Sequence, residues 1–182
     1  FSIYKQFNHL LINPFKLNAV VCLAIINALE KLSIPGLLIK WPNDILSENK
    51  KIGGILIENY FNKSKINASV IGVGINLNQE KFENLPKATS LKIITGEKWV
   101  SKIILDALVP LLEEYLFMFD YQDSSILDQY QKKLWRRNKT VIFKMDGKLH
   151  KGKLKGVDES GMIILQEQGK MISKFNNSQI SI

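Results

Sequence analysis

The chain has 182 residues, 46% of them apolar, and carries 25 basic against 17 acidic side chains for a formal net charge of +8. This composition is globular, enough for one good core or a core domain with a small appendix, and it excludes a disordered or fibrous chain. The basic excess favours an anionic partner without choosing between a nucleotide, a nucleic acid and an acidic protein, and the single cysteine, Cys22, excludes an internal disulfide and a cysteine metal cluster.

Phe1 to Tyr4 reads as a strand. Phe15 to Leu32 places Leu17, Val20, Val21, Ala24, Ile25, Ala28, Leu29 and Leu32 on one broad face at helical spacing, and Ser33-Ile-Pro-Gly36 ends that helix. Cys22 falls within it as a small core residue. An apolar strand from Leu37 ends at Lys40. Pro42 then fixes its own φ and pushes Trp41 towards extended geometry, so the chain turns through Lys40-Trp-Pro-Asn-Asp44. A strand over Lys51 to Glu58, a polar hairpin loop from Asn62 to Lys65 and a strand over Ile66 to Asn78 follow. Asn78 to Gly96 reads as irregular. Trp99 to Phe119 is a second amphipathic helix, expected to kink at Pro110, and a shorter helix covers Ile126 to Leu134.

The character of the chain changes near Trp135 to Asn138. Beyond it stand Arg136, Arg137 and eight lysines against Asp146, Asp158, Glu159 and Glu167. Short strands alternate with Asp146-Gly147, Ser160-Gly161 and Gln168-Gly169, a hairpin signature. Some five strands in this stretch suggest a small barrel of the SH3 kind. His9 and His150 stand apart from any ligand pattern, so surface or capping roles are expected. No apolar stretch is long enough to span a membrane and no secretory signal is visible, so a soluble, cytoplasmic protein is the expectation.

The strand ending at Asn78 carries the most chemistry. Ile71, Val73, Ile75 and Leu77 point to one face and Gly72, Gly74, Asn76 and Asn78 to the other. A glycine face inside a strand leaves backbone bare, either for a ligand or for a packed aromatic or helix. Gly53 and Gly54 repeat the signal in the preceding strand, with Lys51 at the rim. The run lacks the third glycine and the following helix of a dinucleotide fingerprint. Read from the residues alone, Lys51 is a site cation or a solvated strand-end lysine. Asp44 is a catalytic carboxylate or a turn residue capping its own backbone.

Lys40-Trp-Pro-Asn-Asp44, Lys51-Ile-Gly-Gly-Ile-Leu-Ile-Glu58, Gly72-Val-Gly-Ile-Asn76 and Ala88-Thr-Ser-Leu91, in this order and spacing, resemble the catalytic domain of biotin protein ligases, and the terminal module is similar to their small C-terminal domain. The resemblance implies an α+β fold, a mixed β-sheet with helices on one side, followed by an SH3-like β-barrel. The catalytic domain would be residues 1–135, incomplete at its N-terminus, and the barrel 136–182. It implies an ATP-dependent ligase that makes biotinyl-adenylate and transfers biotin to a lysine on the biotin carrier domain of a carboxylase. ATP and biotin are then substrates, and magnesium arrives with the triphosphate; no dedicated metal cage is visible.

The same resemblance assigns roles. Lys51 matches the essential lysine, an ammonium that offsets repulsion between carboxylate and phosphate. Asp44 matches an acidic residue near the reacting carbonyl, placed to orient or deprotonate the incoming amine. Gly53, Gly54 and Leu56 line the biotin pocket, Gly72 and Gly74 are the ligand floor, and Asn76 is an adenine-side contact. Lys40 assists the acidic side or forms a plain salt bridge. The family's Gly/Arg-rich loop and biotin-gripping Ser/Thr and Gln residues stand upstream of the segment matching Phe1 to Tyr4, so the natural protein is expected to be longer. A lipoate or octanoyl transferase of the same fold and a non-catalytic basic binding module are the alternatives. Nucleic acid is disfavoured because only Phe143 and Phe175 interleave with the terminal lysines. A homodimer is left open.

Overall fold

A computed structural model describes residues 1–11, 13–63, 65–120 and 125–182, without the side chains of residues 8–11 and 118–120. The expectations for the His9 and Phe119 side chains and for Ser64 in the hairpin loop lie outside the described residues.

Helix α1 (Pro14–Lys31) is the centre of the molecule. Its start is written in the sequence: Asn13 caps it by accepting from the Lys16 amide at 3.1 Å, and Pro14 takes the first turn, where no amide donor is needed. Val20 to Ile26 are all buried, so the helix is apolar around its circumference. On one side it meets the sheet; on the other it packs against α3 (Ser101–Asp120) and α4 (Ile126–Lys133). α3 runs through Pro110 and buries Ile104, Leu108, Leu111 and Leu112.

The first sheet contains β1 (Ser2–Leu11), β2 (Leu38–Lys40), β3 (Asp44–Ser47), β4 (Lys50–Asn62) and β5 (Lys65–Ile75), in the order β1-β5-β4-β3-β2. Every paired neighbour is antiparallel. This corrects the expectation of mixed strand directions: β2, β3, β4 and β5 follow one another through short turns, which can join only antiparallel neighbours. Parallel contacts are isolated bridges, Ile39 to Leu134 and Lys51 to Ala88. The α+β class and the helices on one side of the sheet stand as expected.

Three other differences have local causes. Strand β3 is not among the expected elements, because four residues between a proline turn and Glu48-Asn49, both at positive φ, are too few to show alternation. β1 runs beyond Tyr4. In the stretch read as irregular, Ser90 caps a short helix, α2 (Leu91–Thr95), which Gly96 closes at φ +78°.

The C-terminal strands β6 (Thr140–Met145), β7 (Lys148–Val157), β8 (Ile163–Glu167), β9 (Ile172–Phe175) and β10 (Ile180–Ser181) form a second antiparallel sheet, ordered β10-β6-β7-β8-β9. Its inward residues Val141, Phe143, Leu154, Val157 and Leu165 join the same buried cluster as α1. The β7–β8 turn is organised by Asp158. One carboxylate oxygen accepts from the Ser160 amide and hydroxyl at 3.0 and 2.7 Å and from the Met162 amide at 3.1 Å, and the other meets the Lys174 ammonium at 2.9 Å.

Burial pushes the Asp158 pKa up, but these hydrogen bonds outweigh it and hold the group at about 2, below the usual 3.8. A carboxylate depressed in the folded state stabilises the fold above its unfolded pKa, and the contribution disappears as pH falls through the folded value. Replacing Asp158 with Ala should therefore lower the melting temperature by about 4 °C near neutrality, the equivalent of roughly 1–2 kcal/mol for a chain of this size. The gap from wild type should close between pH 4 and 2 in thermal melts followed by circular dichroism; a gap independent of pH would refute the assignment.

Candidate active site

The β4–β5 register decides which way the glycines face. Gly54 lies opposite Gly74, Leu56 opposite Gly72, and Ser2 of β1 opposite Gly72 on the other side. Ile55, Ile71 and Val73 turn into the core, leaving Gly54, Gly72 and Gly74 on the outward face as bare backbone. A Cβ added at Gly74 would meet nothing nearer than the Gly54 carbonyl oxygen at 4.0 Å, and one at Gly72 would stand 3.4 Å from the Leu56 carbonyl oxygen. Among the described residues, no side chain plugs the patch. It is the base of an open depression of about 520 Å³, which Phe1, Ser2, Asn43, Asp44, Lys51 and Leu56 help to line. Leu56 is 66% exposed beside it.

At one end of this floor the Lys51 ammonium lies 2.5 Å from a carboxylate oxygen of Asp44. The β3–β4 pairing brings them together: Asp44 lies opposite Gly54, and the register shifts between Ile45 and Leu46, where Lys51 pairs with Leu46. A Cβ at Gly54 would stand 3.4 Å from Asp44 Oδ1 and 3.5 Å from Lys51 Nζ, so this glycine keeps the space under the pair open. The turn carrying Asp44 is held by its neighbours. The Asn18 carboxamide and the Tyr130 hydroxyl both donate to the Pro42 carbonyl, at 2.7 and 2.9 Å, and the Asn43 carboxamide donates to the Ile55 carbonyl at 2.6 Å. Trp41, expected as core or pocket wall, is core at 5% exposure.

Lys40 lies opposite Asp44 in the β2–β3 ladder and does not line the depression. Burial pushes its pKa down; Asp44 pulls it up, and Lys87 and Lys51 push it down again. Lys40 thus feels one carboxylate and two other ammonium groups, so positive charge outweighs negative around it. Lys87 is absent from the sequence reading. It arrives because the Lys51 amide donates to its carbonyl at 2.7 Å and the Thr89 amide donates to the Lys51 carbonyl at 2.8 Å, a nonlocal pairing. Ser2 and Phe1 were missed for the same reason.

Besides Lys40, two more expected site residues lie outside the lining of the depression. Gly53 is buried and does not line the floor: a Cβ there would sit 2.4 Å from the Gly74 carbonyl oxygen, so its role is to let β4 and β5 approach. Asn76 lies beyond the end of β5 and does not line the depression. Its carboxamide donates to the Thr89 carbonyl at 3.0 Å, while its own carbonyl accepts from the Leu91 amide at 2.9 Å. It braces residues 87–91 against the Lys51 strand. Among the described residues, no group of three or more His, Cys, Asp or Glu side chains is placed to hold a metal ion, and no helix is long and apolar enough to cross a membrane.

Comparison with known proteins gives a consistent picture. The model of the biotin/lipoate A/B protein ligase family matches residues 1–76. The biotin–[acetyl-CoA-carboxylase] ligase of Paracoccus denitrificans is 30% identical over 159 residues, covering 83% of this chain and 66% of that protein. The bifunctional ligase/repressor BirA of Bacillus subtilis is 29% identical over 177 residues, 92% of this chain but 53% of that protein. The chain therefore spans between half and two thirds of the length of these relatives. Among solved structures, the biotin protein ligase of Aquifex aeolicus in complex with biotin and ATP superposes with a TM-score of 0.77 at 27% identity, over 99% of this chain and 77% of that one. Its apo structure superposes with a TM-score of 0.77 at 26% identity, over 99% and 81%.

Proposed function

The chain belongs to the biotin/lipoate A/B protein ligase family, and from that premise we propose that it carries the substrate-activating face of an ATP-dependent biotin protein ligase. The observation that carries this reading is the Lys51–Asp44 pair at the end of an open glycine floor.

In the first step a biotin carboxylate oxygen attacks the α-phosphorus of ATP. The bond from that phosphorus to the bridging oxygen breaks, and pyrophosphate leaves with the electron pair. Carboxylate and triphosphate are both anionic, so the encounter needs a cation between them. Lys51 supplies a compact ammonium at the rim, where it meets the carboxylate and the charge that develops on the α-phosphoryl oxygens. Lys40 and Lys87 add positive potential at the same end of the depression. ATP brings magnesium with it. Gly54, Gly72 and Gly74 let a flat ligand lie against backbone, with Leu56 covering its apolar part. Asn76 keeps the segment beside Lys51 in place through its hydrogen bond to the Thr89 carbonyl.

In the second step the neutral amine of a carrier lysine attacks the acyl carbon, the amide bond forms and AMP departs. Asp44 orients that amine and accepts its proton. The accepting group is a lysine on the biotin carrier domain of a carboxylase. Residues 1–135 form the catalytic domain and 136–182 an SH3-like barrel that supports it, and the need for ATP fits a cytoplasmic location.

The biotin reading is favoured over lipoate because the Lys40-Trp-Pro-Asn-Asp44 block and the C-terminal sheet occur together. Labelled biotin and labelled lipoate, each offered to the natural protein with ATP and a biotin carrier domain, separate the two. Label should reach the carrier from biotin alone, and transfer of lipoate, or of neither, would overturn the assignment.

A further inference from the structure

The turn that carries Asp44 is fixed from an unexpected direction. The Trp41 indole N–H donates to the carbonyl of Gly161, 120 residues away in the β7–β8 turn, at 2.9 Å. That turn is itself clamped. Its Glu159 carbonyl accepts from the Asn13 carboxamide at 2.5 Å. Gly161, at φ +86°, lies so close to Phe15 that a Cβ would come within 2.4 Å of the ring. Asp158 shapes the turn internally through the Ser160 and Met162 amides and ties it to β9 through Lys174. Continuous contacts therefore run from Lys174 through Asp158 and Gly161 to Trp41, then along the backbone to Asn43 and Asp44.

Building on the ligase reading of the site, we propose that Trp41 and Asp158 are positioning residues: through the Trp41–Gly161 contact, the C-terminal sheet sets the placement of Asp44 against Lys51. The indole is 5% exposed, so its N–H would otherwise be a buried donor without a partner, and the Gly161 carbonyl gives it one fixed direction. The Lys51–Asp44 contact is short, and a shift of the turn opens it directly. Displacement of a reacting group by about 1 Å costs as much as a hundredfold in rate. The Asn18, Tyr130 and Asn43 hydrogen bonds to the turn survive loss of the indole contact, which makes a loss of about tenfold the expected effect.

Trp41→Phe keeps an aromatic ring but removes the donor together with the five-membered ring of the indole, so hydrogen exchange in both sheets serves as the control for lost packing. In the natural protein its transfer of biotin from preformed biotinyl-adenylate to a biotin carrier domain, the step in which Asp44 acts, should show kcat lower by about tenfold, while KM for biotin and ATP in ATP–pyrophosphate exchange stays within about twofold of wild type, because the floor that binds them is untouched. Asp158→Ala should act in the same direction. Asp158→Asn should restore most of the rate, since its carbonyl oxygen still accepts from the Ser160 and Met162 amides. Amide hydrogen exchange reads the same contact without chemistry. In Trp41→Phe the Ile55 amide, which donates to the Asn43 carbonyl, should exchange faster, while the Leu154 amide of the C-terminal sheet keeps its protection.

An unchanged kcat together with unchanged Ile55 exchange would overturn the proposal. So would uniform acceleration across both sheets, which marks lost stability and not lost placement. A wild-type protein without pyrophosphate exchange would overturn the ligase reading, and the Ile55 comparison would then still decide the structural claim.

Discussion

Lys51→Ala should reduce adenylate formation by about 10²- to 10³-fold, the usual loss when one preorganised charge is withdrawn from a developing oxyanion. The fold should not notice. Lys51 is half-exposed at the start of β4 and its ion pair with Asp44 faces the open depression, so deletion should change stability by no more than about 0.5 kcal/mol. Arginine should recover little: its planar fork is larger, and even a Cβ at Gly54 would stand 3.5 Å from the ammonium, so the space suits a compact group. ATP–pyrophosphate exchange in the natural protein measures the effect, with a thermal melt as the control. An exchange rate equal to wild type in a stably folded variant would remove Lys51 from the mechanism. A lysine serving only as a solvated strand end has no reason to affect phosphate chemistry, so the experiment separates both readings of the residue.

The parts of the site that could be read before the fold was known are those that depend on local geometry. Alternation along Ile71 to Gly74 puts the glycines on one face whatever the strand pairs with, and the structure keeps that arrangement. The proline turn at Pro42 and the hairpin positions of the C-terminal sheet are equally local. Where an expectation failed, a longer-range contact had intervened. Asn76 was placed with the glycine face by extending the alternation, but the strand ends at Ile75 and the Asn76 side chain turns to Thr89. Gly53 was grouped with Gly54 although neighbours in a strand face opposite ways, and it serves the approach of β4 to β5. Ser2 and Lys87 reach the site only through pairings with Gly72 and Lys51, which no spacing along the chain encodes. The contact between Trp41 and Gly161 belongs to the same class.

Gly74→Val is the variant that should damage ligand binding most while sparing the protein. The position is open, with no atom nearer than 4.0 Å to an added Cβ, so the valine side chain stands into the depression without disturbing the sheet. Valine also suits a strand and glycine weakens one, so stability should stay level or rise by about 0.5–1 kcal/mol. Binding should suffer because the methyl groups occupy the volume in which a flat ligand would lie against the backbone. A loss of at least about a hundredfold in biotin affinity, near 2.7 kcal/mol, is expected. Gly72 makes a poorer test, since a Cβ there already crowds the Leu56 carbonyl oxygen at 3.4 Å and a loss of binding could follow from a shifted strand. Calorimetric titration of biotin into Gly74→Val, paired with its melting curve, is the decisive measurement. Full affinity in a stable variant would mean that the ligand does not use this floor, and the role given to Lys51 at its edge would then have to be abandoned with it.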